Sequence, residues 1–123
     1  EAALDIWQGV DLDDLRAVSL ALQDRFIAAV EAACPMLRLA TPRGHASRGS
    51  QVSFRHVEGY AIMQALIAEG VIGDFRAPDI LRFGFTPLYI GEAEVDRAAA
   101  ILARIMASGS WDRPEYKTRT KVT

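Results

Sequence analysis

Two short alternating stretches stand next to each other with no helical period between them, and that limits the folds open to the chain. Met36-Leu-Arg-Leu-Ala-Thr alternates briefly. Gln51-Val-Ser-Phe-Arg alternates cleanly, with Val52 and Phe54 on one face and Gln51, Ser53 and Arg55 on the other. Between them runs Pro42 to Gly49, a breaker-rich loop carrying Arg43, His45 and Arg48. Strands not separated by a crossover helix pair antiparallel, and a strand that alternates this way has one covered face.

Helical periods flank this pair. Asp11 is an N-cap candidate before Leu12-Asp13-Asp14, whose acids suit a helix N-terminus. Leu15, Val18, Leu22, Phe26, Ala29, Val30 and Ala33 then recur at three- and four-residue spacing until Pro35 ends the helix. A second helix is predicted from Val57 or Glu58 to Glu69, with Ile62, Met63, Leu66 and Ile67 as its stripe. Gly70 and Val71 follow as the C′ glycine and apolar C″ residue of a Schellman stop. Val71-Ile-Gly-Asp-Phe reads as a third strand, Arg76-Ala-Pro-Asp as a turn, and Ile80 to Phe85 as a fourth strand halted by Pro87. A last helix begins near Gly91, with Glu92, Glu94 and Asp96 in its first turns and Val95, Ala99, Leu102 and Met106 as its stripe.

The predicted order is α–β–β–α–β–β–α: an α/β chain of the α+β two-layer kind, with a small, mainly antiparallel sheet and helices packed on one face. The other face is left open. Residues 1–10, helix-like and bearing Leu4 and Trp7 one turn apart, read either as a ridge packed on the domain's own core or, the reading favoured here, as the remnant of a connecting helix in a longer chain. Residues 11–109 read as one domain, and 110–123 as a polar, extended or mobile tail.

Composition narrows the partners. A net charge of −2 on 123 residues gives no general footprint for nucleic acid or an anionic membrane. No apolar run approaches the ~20 residues that span a bilayer. Cys34 is the only cysteine, which excludes an internal disulfide and a CxxC metal site. A cytoplasmic protein is the simplest reading.

Chemistry-bearing motifs are sparse. The chain has no HExxH, GxGxxG, Walker loop or GxSxG elbow. His45 and His56 lie on different elements and read as surface or loop histidines. Cys34, at a helix C-terminus, reads as a packing residue rather than an activated thiol. The acidic helix starts are dipole partners rather than acid–base pairs. One residue resists a purely structural reading. In ILRFGFTPLY, positions 80–89, Leu81, Phe83 and Phe85 point to one side, and Ile80, Arg82 and Gly84 to the other. Arg82 is either a solvated arginine paired with an acid on the next strand, such as Asp74, or a rigid fork that grips a carboxylate with two parallel hydrogen bonds.

Positions 48–89, with RGSQVSF at 48–54, GVIGDFR at 70–76 and LRFGFTPLY at 81–89, closely resemble the C-terminal segment of the kynureninase family. The flanks fit as well, so the likeness covers essentially the whole chain. It implies the small C-terminal domain of a homodimeric pyridoxal-phosphate enzyme of the aspartate-aminotransferase fold type. Such an enzyme acts in tryptophan catabolism and hydrolyses kynurenine or 3-hydroxykynurenine to an anthranilate and alanine. The family's arginine for the substrate α-carboxylate falls on Arg82. The resemblance gives no role to Arg48 or Ser50, and the loop 43–50 is left either bordering the cleft or as a solvated basic turn.

The chain departs from the family in one respect. Pyridoxal phosphate chemistry requires a lysine that holds the cofactor as a Schiff base. The lysines here are Lys117 and Lys121, both in the polar tail. Cofactor binding and turnover are therefore expected of the missing large domain and not of this piece alone. The small domain of a related lyase, such as a cysteine desulfurase, and a non-catalytic α/β ligand-binding module stay open as alternatives.

Overall fold

In the computed structural model, which describes residues 12–84 and 91–117, the two alternating stretches pair antiparallel. Helix α1 spans Leu12–Ala33, strand β1 Arg38–Leu39, β2 Gln51–Arg55 and helix α2 Gly59–Ala68. Strand β3 covers Asp74–Arg76, β4 Ile80–Gly84, helix α3 Glu92–Ser108 and a short helix α4 Pro114–Lys117. A single 3₁₀ turn, His45–Ser47, interrupts the loop between β1 and β2.

The sheet order is β1-β2-β4-β3, and every pairing is antiparallel. The central pair, β2 and β4, is distant in sequence: helix α2 and strand β3 intervene. Val52 and Phe54 meet Phe83 and Leu81 across this pair, and all four are buried. Phe26 and Val30 of α1, Ile62, Met63 and Leu66 of α2, and Leu102 and Ile105 of α3 complete the core with them. Phe26 packs on both sheet aromatics, its ring centroid 4.9 Å from that of Phe83 and 6.2 Å from that of Phe54.

Local rules fix the helix ends. Gly70 adopts φ +89, its N–H donates to the Ile67 carbonyl at 2.9 Å, and Val71 N–H donates to the Leu66 carbonyl at 3.0 Å. These are the two bonds of the Schellman stop, and only a residue without Cβ takes that backbone cheaply. At the start of α3, Gly91 N–H donates to the Glu94 carboxylate at 2.7 Å, which ties down the first turn.

Several expectations change. The stripe of α1 is rotated from the one predicted: Val18 and Ala33 are exposed, while Ser19, Leu20, Gln23 and Ile27 are buried. Ile67 likewise lies outside the α2 stripe and is exposed. The third strand starts at Asp74 rather than Val71. A Cβ at Gly73 would stand 2.7 Å from the Arg82 carbonyl and 3.0 Å from Met63, so the chain passes too close to β4 there for a side chain. The tail is not wholly extended. Residues 114–117 are helical, and Trp111 and Tyr116 pack against the core. Expectations for Leu4, Trp7, Asp11, Phe85, Pro87 and Lys121 fall outside the described residues.

Candidate functional site

Period two carries Arg82 out of the core. Leu81 and Phe83 are buried against the helices, so Arg82, between them on β4, projects from the opposite face. The sheet register then selects its neighbours: Ser53 on β2 from one side and Asp74 on β3 from the other. Asp74 receives two hydrogen bonds from the guanidinium, Nε to Oδ1 at 2.7 Å and Nη2 to Oδ2 at 2.6 Å. The structure shows the first of the two sequence readings, a pairing with the acid on the next strand. The fork holds a carboxylate, and that carboxylate belongs to the neighbouring strand.

The pair stays at the surface, with 24% of the Arg82 side chain and 54% of Asp74 exposed. The hydrogen bond from Arg82 holds the Asp74 carboxyl below its ordinary value, and the same bond raises Arg82 further. A guanidinium has five N–H donors. Asp74 takes two, on the Nε/Nη2 edge, and among the described residues nothing accepts from Nη1. Two residues along the same face, nothing among the described residues lies within 4 Å of where a Cβ of Gly84 would be.

The open face is more basic than its sequence neighbourhood suggested. Arg38, Arg55, Ile80 and Arg76 form one row across all four strands, beside the row of Ser53, Arg82 and Asp74. Over the four strands and the β3–β4 turn, Arg38, Arg55, Arg76 and Arg82 face Asp74 and Asp79, which leaves this face at +2 (four minus two) in a chain of −2. Arg55 pairs with Asp79 at 3.0 Å, and Arg76 acts on Asp74 through space. The alternation of β2 already put Arg55 on the solvent side. What sequence could not supply was the register that aligns it with Arg38 and Arg76.

The loop before β2 contributes a wall, not a cation. Pro42, Ser47, Arg48, Gly49 and Ser50 border a cleft of about 400 Å³ that Gln51, Ser53, Arg55 and Ile80 floor. Arg48 is buried, and its guanidinium is consumed by its surroundings: Nη1 to Asp24 at 2.7 Å, Nε to the Pro42 carbonyl at 2.7 Å, Nη2 to the Arg43 carbonyl at 2.8 Å. Asp24 also meets His45 Nε2 at 2.7 Å. Burial alone would raise the Asp24 carboxyl, but the hydrogen bonds from Arg48 and His45 outweigh it and hold it low. Arg43 pairs with Glu31 on α1. Arg16 donates to the His45 carbonyl at 2.9 Å and the Arg48 carbonyl at 2.6 Å, and Gln23 donates to the Gly49 carbonyl at 3.0 Å. Arg43, His45 and Arg48 are therefore ties to α1. Their partners had a readable signal: Arg16 with Gln23, and Asp24 with Glu31, recur at seven residues along two adjacent lines of the helix.

The other candidates are structural. Cys34 is buried in the core, where burial raises its thiol pKa. His56 accepts a hydrogen bond at Nδ1 from Glu58 N–H and stacks edge-on to Trp111. No group of three or more metal-ligating side chains occurs among the described residues. No helix among them is long and apolar enough to cross a membrane.

Pyridoxal phosphate does not fit the described residues. Lys117 is the one lysine among them, and it pairs with Asp112 at 2.5 Å and lies over the Trp111 ring. Among the described residues no lysine stands on the open face. What this face can do is bind and orient an anion.

Comparison with known proteins supplies the family. The model of the kynureninase C-terminal domain matches residues 15–102. A kynureninase from Burkholderia mallei (strain SAVP1) is 51% identical over 125 aligned residues, covering 100% of this chain and 30% of that protein. Kynureninases from Burkholderia pseudomallei (strain K96243) and Pseudomonas fluorescens show the same identity and coverage. The chain thus spans about 30% of the length of the curated relatives it matches.

Proposed function

The chain belongs to the kynureninase family as its C-terminal domain, and we propose that it supplies the substrate-carboxylate anchor of the whole enzyme. That enzyme, in our reading, is a cytoplasmic homodimer that hydrolyses the side-chain carbon–carbon bond of L-kynurenine or 3-hydroxykynurenine. The products are anthranilate or 3-hydroxyanthranilate and L-alanine. Pyridoxal phosphate supplies the electron sink for that cleavage and is held by the larger domain of the same polypeptide. This chain binds and orients.

The observation that carries the reading is the placement of Arg82. It stands on a strand paired on both sides, faces away from the helices, and among the described residues keeps donors beyond those that Asp74 uses. A guanidinium held by stiff backbone fixes the direction of a bound carboxylate better than one on a loop. The surplus positive charge of the face favours approach of an anion from that side. The family match favours kynureninase over cysteine desulfurases and related lyases.

The test is kinetic discrimination in the full-length enzyme. Wild type should strongly prefer L-kynurenine over its α-carboxamide, and Arg82→Ala should lose most of that preference. An Arg82→Ala enzyme that keeps both the preference and near-normal kcat/KM refutes the assignment.

A further inference from the structure

Arg82 is gripped before any ligand arrives. Its side chain has four rotatable bonds, and an isolated strand arginine would surrender that freedom only on meeting a ligand. Here the cross-strand register sets Asp74 directly opposite, and the two bonds at 2.7 and 2.6 Å define the plane of the guanidinium. A guanidinium offers a carboxylate two usable edges, the Nε/Nη2 side and the Nη1/Nη2 end. Asp74 occupies the first. We infer that Asp74 is a positioning residue: it locks the Arg82 fork on its Nε/Nη2 side and thereby directs an incoming substrate carboxylate to the Nη1/Nη2 end. The inference rests on the carboxylate-anchor reading of Arg82.

Two carboxylates on one guanidinium repel each other, so the arrangement needs compensating charge. Arg76 provides it. It lies two residues from Asp74 on the same face of β3, and its field acts on that carboxylate. Arg55 and Arg38 extend the same row. Asp74 itself is more than half exposed, so its loss should leave the fold standing.

The experiment uses the full-length enzyme with L-kynurenine, and compares Asp74→Asn, Asp74→Ala, Arg82→Lys and the Asp74→Asn/Arg82→Lys pair. Both Asp74 variants should raise KM by about tenfold, the scale of one lost hydrogen bond to a charged group, with kcat within about twofold and only a slightly lowered melting temperature, since water screens the exposed pair. In the Arg82→Lys background the Asp74→Asn change should add nothing, because Asp74 acts through the fork. If Arg82→Lys leaves KM unchanged, the anchor reading itself fails. If Arg82→Lys raises KM while either Asp74 variant does not, only the positioning role is overturned. A KM effect of Asp74→Asn that persists undiminished in the Arg82→Lys background overturns it too.

Discussion

Two arginine–aspartate pairs in this domain use the same chemistry to opposite ends. Arg48 and Asp24 sit where the β1–β2 loop meets α1, and only 3% of the Arg48 side chain is exposed. Arg82 and Asp74 sit on the open face of the sheet, with 24% of the arginine exposed. Arg48 gives a bond to Asp24 and two more to the Pro42 and Arg43 carbonyls. Among the described residues Arg82 gives two, both to Asp74. A guanidinium whose every edge is satisfied by its own chain closes a loop; one that keeps an edge for solvent can hold a ligand. Residue type does not distinguish the two, but the remaining donors do.

The sharpest way to test that contrast is to remove each arginine in the full-length enzyme and read activity and melting together. Arg82→Ala should lower kcat/KM by roughly 30-fold to several-thousand-fold, the range for stripping one partner from a hydrogen-bonded charge pair, and leave melting nearly unchanged. Arg48→Ala should do the reverse. It orphans two carbonyls and unties the loop from α1, and should cost about 2–4 kcal/mol of stability, read by denaturant unfolding. Equal losses of melting temperature in the two variants would erase the distinction.

Gly73→Ala probes the backbone beneath Arg82. The new Cβ would press on the Arg82 carbonyl from 2.7 Å, and a main-chain atom in a paired strand has little room to yield. A destabilisation of about 1–3 kcal/mol is expected, together with weakened substrate binding as β4 shifts. Unchanged KM alongside lost stability would show that the anchor tolerates movement of its strand.

The smallest effect is on acid stability. Asp24 and Asp74 both have folded-state pKa values below the ordinary 3.8. Each therefore contributes stability above that value, and loses it as pH falls through the lowered folded pKa. Both side chains are about half exposed, so water screens the gain. Thermal unfolding from pH 6 down to pH 2.5 should show a shallower acid-side loss in Asp24→Asn and in Asp74→Asn than in wild type. An acid slope steeper in either variant would reverse the assigned sign.

Much of this was legible in the residues. The alternation of β2 and β4 fixed which side chains enter the core, and Gly70-Val71 marked the end of α2. The exposure of Arg82 followed from period two alone. The α1 stripe was misread because Ser19 and Gln23 are buried polar residues that replace apolar ones at helical spacing, while Val18 is apolar and exposed. The basic row of Arg38, Arg55 and Arg76 stayed hidden because it depends on the distant pairing of Arg55 on β2 with Ile80 on β4, which is a tertiary fact. So did the role of Arg48: a buried guanidinium and a solvated one look alike until their acceptors are in place.

The outermost strands are only two and three residues long. Such brief borders expose few unsatisfied amides, and β3 runs into a turn carrying Pro78. Neighbouring molecules thus find little template on which to graft an additional ribbon, so crowding in the cell should not convert this layer into fibrous aggregates.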